Sequence, residues 1–416
     1  NDIDLSSVEN WTPIGSSDTK YLGPFDGQGH AITGLTIQQG DVSATLTLGL
    51  FGYAGSGAAL KNFTLDGGVT LTTSQQIAGA AGGIGSVVGH ANGATITDVQ
   101  SSVSVTVSAP STKNVGYVGG LAGMTTKATL LRCGYSGTLT LTLTGSGNGI
   151  HAGGIVGKAA QSKLEQCCNS GSIDVTPGSI TCYVGGLVGN AVSSSAAPSN
   201  QLLNCYNAGD VTNYSAGTAS QSFGGLVGYL GASSKSGGQA VIKNCFNAGT
   251  VTSGTATNRG ALIGKLYANY GTRENLYYLT GTAAKGIGSV PSGATDNSIV
   301  KTAADFASAD FVTLLNTNSG SESAVFAAGT EHPLLAWEAA DTPEPQILLG
   351  DVNGDGKVTN LDAALTYAAY NGTFAMTDAQ RAAADVNKDG KVTNLDAALI
   401  YSYYNGTLGS FDEIGK

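Results

Sequence analysis

Alternating apolar and polar residues are clearest in two stretches of the first 340 residues. Residues 138–144 read TLTLTLT, and residues 102–107 read SVSVTV. Alternation with a period of two is typical of β-strands with one buried face, so Val and Leu should point inward and Thr or Ser outward. The pattern predicts short strands along this part of the chain.

A glycine-rich apolar motif recurs through the same residues, in forms such as GLFG, GGLAG and GGLVG. Its closing glycines lie 32–39 residues apart, at positions 52, 89, 123, 157, 189, 228 and 264. A drifting repeat of this length predicts a solenoid whose coils differ in loop length. We therefore expect a mainly β fold, with residues 1–340 forming a right-handed parallel β-helix.

A second segment follows each motif, for example LLNCYNAGDV at 202–211. Its fourth position is always apolar or a thiol, and stacked coils would place these residues in one internal ladder: Phe63, Val99, Cys133, Cys167, Cys205 and Cys245. Free Cys packs as a small hydrophobe, and no CxxC or Cys/His spacing suggests a metal site. Cys168 and Cys182 stand outside the ladder, and the sequence leaves open whether they form a disulfide.

Composition narrows the range of partners. The chain has 62 Gly, only 12% charged residues and a net charge of −10. The sequence contains no basic run and no long apolar run, so we expect neither nucleic acid binding nor a membrane span. It begins NDIDLSS, without a signal peptide, which suggests a mature or trimmed chain.

The C-terminal region contains one sequence twice. Residues 351–373 and 385–407 are identical at 19 of 23 positions, and each copy opens with a twelve-residue loop rich in Asp and Asn. Oxygen atoms at this spacing suit Ca²⁺, with Gly356 and Gly390 at the sharp turn. The predicted calcium ligands are Asp351, Asn353, Asp355, Lys357 (carbonyl), Thr359 and Asp362, then Asp385, Asn387, Asp389, Lys391 (carbonyl), Thr393 and Asp396.

Each loop leads into a predicted helix, at 360–370 and 394–404, whose Leu and Ala residues recur at helical spacing. Thr377 looks like the N-cap of a third helix at 378–384. Pro343 and Pro345 argue against a helix entering the first loop. Each unit is thus a loop with an exiting helix.

This arrangement resembles a type I dockerin, the calcium-dependent module that binds cohesin modules of a scaffoldin. The resemblance implies two calcium ions, two binding orientations related by a half-turn, and a secreted protein on the scaffold of a polysaccharide-degrading bacterium. Cohesin contacts are implied at Asn360, Leu361, Tyr367, Ala368, Asn394, Leu395, Tyr401 and Ser402. Many relatives have Ser or Thr where this chain has Asn-Leu. The expected domains are 1–340, a linker at 341–348, and a dockerin at 349–416.

The GGLVG motif with the NCYN segment resembles GLUG-type repeats of secreted and surface proteins of bacteria. Residues 25–37 look like the first coil, and residues 332–338 look like the closing segment. A solenoid needs capped ends, so we expect the two Trp residues, Trp11 and Trp337, to pack in those caps.

Three functions are open for the solenoid: an adhesion or carbohydrate-binding module, a polysaccharide hydrolase or lyase, or a structural spacer. Only four acidic residues lie between Gly67 and Arg273, namely Asp98, Glu165, Asp174 and Asp210, with no nucleophile–His–acid set. We therefore favour a non-catalytic module that binds a polysaccharide or cell-surface glycan. The candidate sugar-stacking residues are Tyr206, Tyr214, Tyr229, Tyr267 and Tyr270.

Overall fold

The computed structural model describes residues 1–41, 46–74, 83–110, 116–144, 149–193, 200–214, 221–232, 240–254, 258–267, 271–341, 348–355, 357–411 and 414. Tyr270, Gly356 and most of the predicted linker lie outside these ranges. The chain divides into two compact units, Asn1–Trp337 and Glu338–Lys416. Each is described by itself.

The first unit is a parallel β-solenoid of about six turns, which confirms the predicted mainly β fold. Each full turn passes through a first short sheet, a second short sheet and a long sheet. The first short sheet consists of Thr47–Leu48, Gly83–Ile84, Gly116–Gly119, Ile150–Gly153, Cys182–Gly185, Gln221–Gly224 and Asn258–Gly260. The second consists of Phe51–Ala54, Val88–Asn92, Ala122–Thr126, Val156–Ala160, Val188–Ser193, Val227–Ala232, Ile263–Leu266 and Ile287–Ser289.

The long sheet contains the alternating stretches and the second segments of the repeat. Leu139 and Leu141 are buried between less buried Thr residues, as alternation requires. The strands are Ile3–Asp4, Pro24–Gln39, Ala59–Thr72, Thr95–Ser101, Ser104–Ala109, Thr129–Tyr135, Leu139–Leu143, Lys163–Glu165, Cys168–Asn169, Ile173–Thr176, Gln201–Leu203, Tyr206–Asn207, Val211–Asn213, Val241–Asn247, Val251–Ser253, Thr272–Leu279 and Ile299–Lys301.

The predicted internal ladder is present. All six of its residues are buried in the solenoid core, and successive members occupy the same position one coil apart. The backbone N–H of Cys167 donates to Cys205 Sγ at 3.4 Å, and that of Cys205 donates to Cys245 Sγ at 3.4 Å. All six cysteines lie in the described residues and none forms a disulfide, Cys168 and Cys182 included.

We expect Cys167→Ala to lower the free energy of unfolding by about 1–2 kcal/mol, because it removes a buried atom from a packed ladder. Burial raises the pKa of the Cys167 thiol, so the group is an inert part of the core. Chemical denaturation of both proteins measures the change. Loss of glycan retention with unchanged stability would instead indicate a functional thiol.

One residue per coil has a left-handed backbone that the sequence did not reveal. It immediately precedes the ladder position, and its φ lies between 51° and 58° at Asn62, Asp98, Arg132, Gln166, Asn204, Asn244 and Asn275. Asn tolerates this conformation best, whereas Arg and Gln adopt it rarely. The tight bend turns the next side chain into the core.

The closing segment does not cap the end of the solenoid. It packs along the flank of the long sheet, where helix α1 (Ala303–Phe306), helix α2 (Ala309–Thr317) and the antiparallel pair Phe326–Ala327 and Leu334–Leu335 cover an outward apolar column. That column consists of Cys168, Tyr206, Phe246 and Tyr277. The expectation for Trp337 is therefore wrong, because its Nε1 donates to the Gln166 carbonyl, midway along the solenoid, at 3.0 Å.

Trp11 lies at the first coil. Its Nε1 donates to the Leu50 carbonyl at 3.0 Å, and its ring packs against the core there. Trp11 therefore packs at the first coil, whereas Trp337 packs on the flank of the long sheet.

The second unit contains the three predicted helices: α4 (Asn360–Tyr370), α5 (Asp378–Ala384) and α6 (Asn394–Tyr404). Helix α3 (Ala336–Asp341) precedes them. Thr377 is the N-cap of α5, as predicted. The core contains Val352, Ala363, Met376, Ala384, Val386 and Ile400. Leu361 and Ala364, two of the residues that recur at helical spacing in α4, are both exposed.

Candidate calcium loops and recognition surface

The first Asp of each loop organises the turn that follows it. Asp351 Oδ1 accepts hydrogen bonds from the backbone N–H groups of Gly354 and Asp355, at 2.9 and 3.2 Å. In the second loop Asp385 accepts from Asp389 and Gly390, at 3.1 and 2.9 Å. These bonds curl the backbone after the first Asp, at the fourth and fifth positions of the first loop and at the fifth and sixth positions of the second.

The last Asp of each loop is fully buried and also belongs to a helix cap. Asp362 pairs with Thr359 at the start of α4, and Asp396 pairs with Thr393 at the start of α6. Each Thr hydroxyl donates to that carboxylate and accepts from a backbone N–H. The two hydroxyls predicted as calcium ligands are therefore engaged in capping.

Asp396 provides the clearest sign that the second loop suits a cation. Its Oδ1 is buried and has no hydrogen-bond donor among the described residues, whereas Asp362 Oδ1 accepts from the N–H groups of Val352 and Asn353. An ionised oxygen left in this state is costly unless a positive charge faces it. Hard oxygen donors in this number suit Ca²⁺. In the described ranges no three His, Cys, Asp or Glu side chains gather as a metal cluster.

The predicted cohesin contacts form two matching exposed surfaces. Leu361 and Tyr367 on α4 are 54% and 53% exposed, and Leu395 and Tyr401 on α6 are 53% and 52% exposed. Asn360 and Asn394 are exposed too, while Ala368 and Ser402 are half-buried. Large apolar side chains with this exposure mark an interaction surface.

Two further aromatic residues extend these surfaces. Tyr370 lies beside Tyr367 and Tyr404 beside Tyr401, with ring centroids 6.3 Å apart in each pair, and both are about half exposed. The sequence reasoning missed them, although a spacing of three residues from the predicted Tyr was the available signal.

The Tyr residues proposed for sugar stacking have different environments. Tyr206 is buried and stacks on Phe246 beneath α1, α2 and the antiparallel pair, so that candidate is wrong. Tyr214 is exposed, but its hydroxyl donates to Asp174 at 3.0 Å. Tyr229 lies between the rings of Tyr183 and Tyr267.

All four acidic residues in the central part of the solenoid have partners. Arg132 forms a two-pronged ion pair with Asp98, and Lys163 pairs with Glu165. The other two carboxylates accept hydrogen bonds from residues one coil away: Asp174 from Tyr214, and Asp210 from Thr250. Asp98, Asp174 and Asp210 therefore connect neighbouring coils, whereas Glu165 is paired within its own strand.

His151 is a buried neutral ring on the first short sheet. Burial, and then the charge of Lys158, lowers its pKa to about 3. Asn190 Nδ2 donates to His151 Nδ1 at 3.2 Å, a bond that only an unprotonated nitrogen accepts.

Because of this ring, we expect the free energy of unfolding to decrease in mild acid. Its folded-state pKa is below the ordinary value of 6.5, so its stabilising effect is complete above pH 6.5 and is lost as the pH falls towards 3. The loss from this group should be about 2 kcal/mol by about pH 5. Denaturation measured at several pH values across this range gives the free energy of unfolding as a function of pH, and this dependence should be weaker for His151→Phe. An equal pH dependence in the two proteins would contradict the assignment.

Comparison with known proteins places the C-terminal region in a family. The family model of the dockerin type I domain matches residues 349–405. Domains of this type bind calcium and pair with cohesins. No curated protein matches the chain, and no helix in the described residues is long and apolar enough to cross a membrane.

Two solved structures are similar to the chain at low identity. A Bacteroides ovatus protein provisionally named as an immunoglobulin A1 protease is 18% identical, with 81% of this chain and 84% of that chain covered and a TM-score of 0.43. A structure named IgA1 protease is 16% identical, with a TM-score of 0.43; the match covers 84% of this chain and 26% of that one. The family match, and not these two structures, identifies residues 349–405 as a type I dockerin domain, which follows a parallel β-solenoid of about six turns.

Proposed function

We propose that this protein is a non-catalytic accessory component of a secreted, cellulosome-type complex that degrades polysaccharides. Its dockerin would bind a scaffoldin cohesin, and its solenoid would bind a polysaccharide or cell-surface glycan. The observation that supports the first half is the pair of matching exposed surfaces on α4 and α6 within the region that matches type I dockerins. On this proposal the solenoid occupies 1–340 and the dockerin 349–416.

The calcium role is assigned to the two loops. Side-chain oxygens of Asp351, Asn353, Asp355 and Asp362, with the Lys357 carbonyl, would hold one ion, and their counterparts in the second loop would hold the other. The buried Asp396 Oδ1 supports this assignment. Thr359 and Thr393 would act through their helix caps, which fix the position of the last Asp in each loop.

The cohesin would contact the exposed side chains that follow each loop. Leu361 and Tyr367 would provide apolar anchors on α4, and Leu395 and Tyr401 would provide the same anchors on α6, with Asn360, Ala368, Asn394 and Ser402 around them. Because the two helices carry nearly identical sequences, either surface could bind the same partner.

The partners found for all four central carboxylates support a binding role for the solenoid over a hydrolase role. The test mixes the full chain with soluble and insoluble polysaccharides and follows retention and released sugar together. We expect retention without new reducing ends or unsaturated products, and retention should persist when calcium is chelated. New products would contradict the non-catalytic assignment, and no retention on any polymer would contradict the binding role.

A further inference from the structure

Aromatic rings from five successive coils form a continuous column on the outer side of the two short sheets. We call it the ring column; it consists of Tyr117, His151, Tyr183, Tyr229 and Tyr267, with ring centroids 4.4–5.7 Å apart. The next residues in the strands, such as Val118 and Val184, point into the core. Tyr117 and His151 are buried, Tyr183 and Tyr229 are half-buried and Tyr267 is exposed, so little ring face remains for stacking on a sugar.

Two lysines accompany the ring column. Lys158 Nζ donates to the Tyr117 hydroxyl at 3.2 Å, and Lys265 Nζ lies 5.5 Å from the centre of the Tyr229 ring. Both side chains are half-buried. Among the described residues, no carboxylate lies within 4.0 Å of either ammonium group, whereas Lys61, Lys163 and Lys243 on the long sheet all have one.

Charge is unevenly distributed between the two sides of the solenoid. The chain as a whole has 19 basic and 29 acidic residues. In the inner coils, the described segments that contain the two short sheets have four Lys or Arg and no Asp or Glu; they are 83–94, 116–128, 149–162, 177–193, 221–232 and 258–267. Among the described residues, carboxylates come close only at the two ends, where Asp41 accepts from Ser74 and Asp296 accepts from Ile287. The inner coils of an acidic protein therefore have an excess of positive charge on this side, which attracts anionic ligands.

We infer that the surface formed by Lys158, Lys265 and the accessible rings of the ring column binds an acidic polysaccharide that lies along the solenoid axis. This inference rests on the proposed glycan-binding role and adds the chemistry of the ligand. Lys158 and Lys265 occupy equivalent positions three coils apart. At the strand spacing of about 4.8 Å they are about 14 Å apart, so an extended polymer with a repeated negative charge can reach both.

The phenol groups suit the same ligand. Burial raises the pKa of Tyr183, and it raises that of Tyr229 to about 12, so both hydroxyls stay protonated and can donate hydrogen bonds to anionic oxygens.

Other polyanions fit less well. Nucleic acid binding requires a dense set of phosphate contacts, and the four described basic residues here are spread over three segments. A peptide strand would need an open sheet edge, whereas the inner strands of both short sheets are paired on both sides.

The test measures binding of the full chain to polygalacturonate, dextran sulfate and uncharged dextran in low salt. We expect binding to at least one acidic polymer, weakened about tenfold in Lys158→Gln with Lys265→Gln. The control Lys61→Gln with Lys243→Gln removes the same charge from the long sheet and should bind like the wild type. Carboxylated and sulfated polymers distinguish the two sources of negative charge.

Three results would overturn the inference. Retention of dextran alone would leave the glycan-binding role intact but exclude an acidic ligand. Equal losses in the two double variants would attribute binding to net charge and not to this surface. Tighter binding to single-stranded DNA than to either acidic polysaccharide would assign the surface to another polymer. Unchanged melting temperatures establish that the variants are folded.

Discussion

Capture of the full chain by a cohesin is expected to be lost when Asp351 and Asp385 are both replaced by Ala. Each Asp holds the turn of its loop through two backbone N–H groups and supplies oxygen atoms to the predicted ion site. Because metal binding and folding are coupled in small domains, both effects act in the same direction. With a cohesin that captures the wild type, we expect affinity to fall at least about 100-fold.

A control separates this effect from a change in net charge. Asp18 and Glu322 are exposed residues of the first unit, and replacing both by Ala removes the same charge. That variant should be captured like the wild type. Capture of the Asp351→Ala, Asp385→Ala protein at wild-type affinity would show that the loops do not support cohesin binding.

Variants of α4 and α6 should reveal two equivalent binding surfaces. Leu361→Ala with Tyr367→Ala removes the exposed anchors of α4 only, so a cohesin can still bind α6 and affinity should fall only about twofold. Adding Leu395→Ala and Tyr401→Ala removes the second surface, and affinity should then fall more than about 100-fold, since each large anchor contributes about 1–2 kcal/mol. Calorimetric titration measures both values.

The same series has an internal control and a contrary outcome. All four side chains are more than half exposed, so helix content and calcium affinity should be unchanged in every variant. A large loss of affinity in the α4 double variant alone would mean that one surface binds and the other does not.

The sequence predicted those features that depend on local pattern. Alternation at 138–144 and the recurring glycine motif identified strands and coils, because period and repeat length follow directly from strand geometry. The duplicated loops likewise specified the start of α4 at Asn360 and of α6 at Asn394, where Thr and Asp form the cap.

The features that depend on distant contacts could not be predicted in this way. Trp337 contacts Gln166, and Tyr206 is buried by a segment more than a hundred residues later, so neither environment has a local signal. The left-handed residues before the ladder were also missed, since Asn, Asp, Arg and Gln share no side-chain property that specifies this backbone. Leu361 has the spacing of a packed residue, yet its helix buries a neighbouring face.

A calcium titration of the full chain, after removal of bound metal, tests the central claim most directly. Calorimetry would count the ions, and circular dichroism would follow α4 and α6. The account predicts two calcium ions per chain and a gain of helix on binding, with the signal lost in the Asp351→Ala, Asp385→Ala protein. A chain that binds no calcium, or binds it equally well without these two residues, would contradict the account.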